Sequence, residues 1–220
     1  MPDTLHLADP DDAEGFALAR LISQLGVHPE SPATFVWDDR GELARAWTLW
    51  LENWFAPHLT GTFVEVYQCA AAFRLKEIAA ADSRLDGVLT ESLRARSLKV
   101  AKSFLEGKSE MRANREWQRF VDRIASGEVA GHTTTLFALQ CALYHLPLGP
   151  ALSTYAWFEL ESGLPRSSSG EGYRDRPGTA AEVLAVFRTA LPHVAVALQG
   201  DRDETSGGDI SEGGSHLRAI

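Results

Sequence analysis

The sequence predicts an all-α fold, a single compact bundle of about eight helices. Three observations predict it. Apolar residues recur at helical spacing along most of the chain. Strand-like alternation is nearly absent, and the breaks between periodic segments are short. The chain has 220 residues, 45% of them hydrophobic and 23% charged, enough for one sizeable core. No internal repeat or domain boundary is visible, so one helical domain is expected over 1–198. An acidic tail poor in apolar residues, 199–220, is expected to be flexible on its own.

Taken in order, Leu18, Leu21, Ile22 and Leu25 mark a first helix. Asp11 and Glu14 stand at capping-box spacing before it, and Gly26 follows as a stop. Pro29 and Pro32 make the next stretch a loop. Leu43, Trp47, Trp50 and Trp54 form one stripe on a helix over roughly 40–56, which Pro57 is expected to end. Such a stripe reads as core, although three tryptophans could also line a ligand box. Phe63, Val66, Ala70 and Phe73 give a third helix. Leu85, Leu89, Leu93, Val100 and Phe104 give a longer fourth that ends at Gly107, and Trp117, Phe120, Val121 and Ile124 give a fifth that ends at Gly127. Leu136, Leu139, Leu143 and Leu146 form the stripe of a sixth. The seventh carries Pro150 in its first turn, then Leu152, Tyr155 and Phe158. After a Gly/Ser/Pro-rich loop over 162–178, Thr179 and Glu182 open a last helix through Val183, Phe187, Leu191, Val194 and Leu198, with an irregularity at Pro192.

Composition and motifs exclude several functions. The formal charge of −9 repels nucleic-acid phosphates, so no nucleic-acid partner is expected. The acidic N-terminus has no signal-peptide pattern and no apolar run approaches a membrane span, so a cytoplasmic protein is expected. Walker-type, GxGxxG, HExxH and CxxC motifs are missing, and the seven histidines are scattered without ligand-like spacing. Cys69 and Cys141 sit inside apolar helical patterns and read as small buried hydrophobes. The Gly/Ser run at 166–172 lacks the helix start that would make it an anion nest. Charge is uneven: 1–56 holds ten acids against three basic residues, whereas 93–123 holds nine basic residues against four acids. The basic stretch is either a solvated face or a docking surface for an acidic partner, a second copy of the chain included. The pattern as a whole reads as a binding protein rather than an enzyme.

Two ordered stretches then carry a resemblance. Gly131-His132 opens a helix, and Leu146, Pro147, Leu148, Ala151, Leu152 and Tyr155 start the next, which ends at Ser162. Upstream, residues 81–105 carry Leu85, Asp86, Arg94, Arg96, Ser97 and Leu98. Weaker echoes lie at 5–16 and in the final twelve residues. These stretches resemble the UreF family of urease accessory proteins. Two departures stand out: the family's Pro-x-Gly-Gly-Phe turn is reduced to Gly15-Phe16, and its Arg-Leu-x-Pro-Leu-Gly-Gln segment reads as Arg-Asp-Arg-Pro-Gly-Thr-Ala at 174–180.

The resemblance implies an all-α adaptor without chemistry of its own. It would bridge the accessory protein UreD (UreH) to the GTPase UreG while nickel passes into apo-urease, and it would act as a homodimer within that complex. No cofactor would be stably bound, and nickel would be handled by the complex. The partner or dimer contacts implied are Arg94, Arg96, His132, Tyr155, Arg174, Arg176, Gly178 and the tail residues His216, Leu217 and Arg218. Two alternatives stay open: another helical metalloenzyme-maturation chaperone, of the molybdenum type, and a small enzyme with a heme-oxygenase-like bundle. The latter would need polar groups converging on a pocket at Trp47, Trp50 and Trp54 beside Glu52.

Overall fold

A computed structural model of the chain describes residues 34–37, 42–106, 114–165 and 179–206, with backbone alone for 179–180 and 200–206. The expected first helix, the loop over 166–178 and the end of the tail lie outside these residues. Helices account for nearly all of the described chain, and no strand occurs among them. They are α1 (Leu43–Trp50), a π-helical segment (Leu51–Leu59), α2 (Thr60–Ala71), α3 (Leu75–Val88), α4 (Glu91–Glu106), α5 (Arg115–Ala125), α6 (Thr133–Leu143), α7 (Leu148–Gly163), α8 (Thr179–Arg188) and α9 (Leu191–Ser206).

Pro57 does not end the second predicted helix. The helix runs through it as nine residues of wider π winding, and Pro57 stays exposed. A proline in a regular α-helix would collide with the carbonyl four residues back, and the wider turn relieves that collision. Leaving the π winding has its own cost. The Thr60 N–H reaches five residues back to the Phe55 carbonyl. Returning to four-back bonding passes over one carbonyl, and the Thr60 hydroxyl donates to that of Ala56 at 3.0 Å.

Two further boundaries differ from expectation. The long fourth helix is two, because Leu89 turns extended and Thr90 begins α4, its Oγ1 accepting the Leu93 N–H at 3.4 Å. The last helix is also two, broken by the turn at Thr189–Ala190, with Pro192 in the first turn of α9 where its missing N–H costs nothing. α9 continues to Ser206, past the expected end at 198. Ala181–Gln199 reaches a mean hydropathy of 1.5 over 19 residues, so by length and composition a run suited to a membrane does exist. That run folds as two helices across the turn, with Val183, Phe187 and Ala190 fully buried and Val194 nearly so.

α6 lies at the centre. Every residue from Thr133 to Ala142 is buried, so the single stripe read from sequence is a helix enclosed on all sides. It packs against α2, α3, α4 and α7. An aromatic cluster fills the space between these helices. Tyr155 lies 5.4 Å from Phe63 and 5.3 Å from Phe137, and Phe137 lies 5.5 Å from Phe158. Trp47 and Trp50 stack at 4.8 Å, Phe35 meets Trp47 edge-on at 4.9 Å, and all three are buried as core. Cys69 and Cys141 are buried within helices, as read from their patterns.

Candidate functional site

The two sequence stretches that carry the resemblance meet at the start of α6. Gly131 has φ +76, a left-handed turn, and a Cβ there would come within 2.5 Å of Ile124 Cδ1. This turn presents two backbone N–H groups to one acid. Asp82 of α3, fully buried, accepts the Gly131 N–H at 2.8 Å and the His132 N–H at 2.9 Å. A carboxylate at a helix N-terminus satisfies donors that have no partner within the helix and complements the helix dipole.

The His132 ring, also fully buried, lies between α3 and α4. Its Nδ1 is 3.1 Å from Ser97 Oγ and its Nε2 is 3.1 Å from Asp86 Oδ1. Ser97 Oγ accepts the Thr133 N–H at 3.2 Å, and the Thr133 hydroxyl donates to the Ser97 carbonyl at 2.7 Å. The arrangement that satisfies every group places the ring proton on Nε2 toward Asp86, with Nδ1 accepting from the Ser97 hydroxyl. Arg94 closes the cluster at the surface, its Nε 2.9 Å from Asp86 Oδ1.

Serine, histidine and aspartate in sequence could perform acyl transfer. Here they fix a joint. Ser97 is 1% exposed, its oxygen already caps α6, and the crevice beside it offers only about 10 Å³, room for no more than a water. No substrate carbonyl can approach that hydroxyl.

A second polar chain runs through the core. Thr134 Oγ1 lies 2.8 Å from the Tyr155 hydroxyl, which donates to Glu159 Oε1 at 2.8 Å. Glu159 Oε2 accepts the N–H of Thr34 at 2.7 Å and of Phe35 at 3.1 Å. Burial raises the Glu159 carboxyl above the usual carboxylate range, against the lowering pull of those donors. Burial, with the acid beside it, holds the Tyr155 phenol well above its ordinary value. This chain ties the 34–37 segment to α7. Gly163 completes the tie: its carbonyl accepts the Trp37 N–H at 3.0 Å, and a Cβ there would come within 2.5 Å of the Phe35 carbonyl.

The sequence-derived contacts therefore separate. His132 and Tyr155 are wholly buried, so neither side chain can touch a partner directly, and both hold helices together. Arg94 is partly exposed and engaged with Asp86. Arg96 is exposed and lies on an open groove of about 320 Å³ beside Trp50 and Trp54. Arg174, Arg176, Gly178, His216, Leu217 and Arg218 lie outside the described residues. Among the described residues no carboxylate or imidazole lines the groove, and Glu52 is exposed and not part of its lining, so the converging groups of the enzyme alternative do not assemble there from those residues. Among the described residues no three His, Cys, Asp or Glu side chains gather in a metal-ligand cluster. Asp82, Glu159, Thr133 and Thr134 were not singled out from sequence, and isolated polar residues inside apolar patterns were the available signal.

The described residues form an all-α bundle whose buried polar side chains join its helices to one another. The UreF family model matches residues 37–163, more than half of the chain, and the matched span contains both polar chains almost entirely. The chain belongs to the UreF family, an accessory family in urease maturation and not a catalytic one. No curated protein and no solved structure matches it.

Proposed function

We propose that this chain is the adaptor of a urease-maturation complex, bridging UreD (UreH) to the GTPase UreG while nickel passes into apo-urease. The observation that carries the reading is the family match over 37–163, which spans the α3–α4–α6 joint and the α6–α7 core. The chemistry agrees with it. The buried Ser97–His132–Asp86 set is sealed and serves as a brace, and the cations of α4 face outward, where a partner can meet them. In this reading nickel is cargo of the assembled complex and the chain holds no cofactor of its own. It pairs with a second copy within the complex, and Arg94, Arg96, Arg174, Arg176, Gly178 and the residues around His216, Leu217 and Arg218 supply contacts. The family match favours this reading over a molybdenum-enzyme chaperone.

The test is affinity purification of the tagged full-length chain from its native cells, with mass spectrometry of what accompanies it, with and without GTP and nickel. Recovery of a P-loop GTPase together with a UreD-type protein and urease subunits is expected. Recovery of a different apo-metalloenzyme in their place would overturn the assignment of client.

A further inference from the structure

The groove beside Trp50 is a candidate binding surface that the buried joints do not use. Leu49, Trp50 and Trp54 come from the α1–π junction, and Leu93 and Arg96 come from α4. Its volume of about 320 Å³ is open to solvent. Two of the six large apolar side chains exposed among the described residues, Val36 at 50% and Leu49 at 51%, lie on this one feature. Among the described residues Arg96 is the only charged one lining it and has no ion-pair partner, and Lys99 stands one turn further along α4. Trp50, 6% exposed, forms part of its wall.

We propose that this groove docks a short acidic segment of a partner protein, an apolar side chain seated on Leu49 and Trp54 and a neighbouring carboxylate on Arg96. A guanidinium with aromatic and aliphatic walls is the pairing that anchors such segments: apolar contact supplies affinity and the ion pair supplies orientation. The reading is independent of whether the client is urease, since it concerns the chemistry of one face.

The experiment is selection of a randomised heptapeptide phage library on the immobilised full-length protein, repeated on Arg96→Glu and Leu49→Ser. Both positions are exposed, and circular dichroism checks that both variants keep their helicity. The expected result is enrichment of peptides with Asp or Glu next to an aromatic or large aliphatic residue. Binding of a synthetic copy should weaken at least tenfold in each variant. Peptides that bind both variants as well as the parent protein would overturn the proposal, as would enriched basic peptides or a failure to enrich any. An Arg96→Glu variant that changes the oligomeric mass while no acidic peptide is selected would also overturn it, and would assign the groove to a second copy of the chain.

Discussion

Glu159 shows what a single residue does in this core. Its two oxygens accept from the Tyr155 hydroxyl on one side and from two backbone N–H groups on the other. Glutamine can reproduce that pattern, since its oxygen serves the N–H groups and its amide donates to Tyr155, whose hydroxyl then donates to Thr134. Glu159→Gln should therefore fold with stability equal to or above the parent at neutral pH, because it removes a buried ionisable group. Glu159→Ala should cost about 3 kcal/mol by leaving buried donors unmatched. The pH dependence has a definite sign. Glu159 holds its proton to higher pH in the folded chain than in the unfolded one. Through the window between those values the folded state binds more protons, so the parent loses stability relative to Glu159→Gln as pH rises from the ordinary carboxylate range. Urea denaturation of both proteins across that range measures it, and a parent that gains on the variant would contradict it.

Phe73 makes a second residue-scale case. α2, α5 and α6 end in the same hydrogen-bonded turn, with Phe73, Gly127 and His145 in left-handed conformation at φ 57, 75 and 56. Glycine suits that position, and Phe73 is 67% exposed, so little packing offsets its strain. Phe73→Gly should raise stability by about 0.5–1 kcal/mol, read as an increase in Tm.

Among the elements, the π segment is the one that sequence reasoning could not foresee. Proline in a helical pattern predicts an end, and only the surrounding packing shows that widening the helix was the lower-energy solution. The repair at its exit is specific. Thr60 is buried, and its hydroxyl donates to the Ala56 carbonyl. Thr60→Val keeps the shape and removes the donor, so it should cost about 1–2 kcal/mol, while Thr60→Ser should cost less. Equal losses in the two variants, measured by urea denaturation, would show that the methyl and not the hydroxyl matters. Helix existence was legible almost everywhere from periodicity. The break at Leu89–Thr90 was not, because an apolar stripe passes through it without a glycine or proline at the break itself, and the one at Thr189–Ala190 was legible only as an irregularity at Pro192.

At the scale of the whole molecule, the class and the family were legible from landmarks several of which are internal. Asp86, Ser97, His132 and Tyr155 recur as sequence landmarks, and the structure shows what they do: they fix α3, α4, α6 and α7 to one another. His132 and Tyr155, expected as partner or dimer contacts, are both buried. A histidine or tyrosine inside an apolar pattern carries no sequence mark that distinguishes a satisfied core group from an exposed one. Of the sequence-derived contacts among the described residues, Arg96 is the one that is exposed and has no ion-pair partner among those residues, so the candidate surface shifts from the helix joints to the α1–α4 groove.

The most direct measurement is activation of purified apo-urease with UreD, UreG, GTP and nickel, with and without this chain, reading both urease activity and nickel bound to urease. The account predicts that omitting the chain abolishes GTP-dependent activation and that adding it restores both readouts together. Equal nickel incorporation and activity without the chain would contradict it.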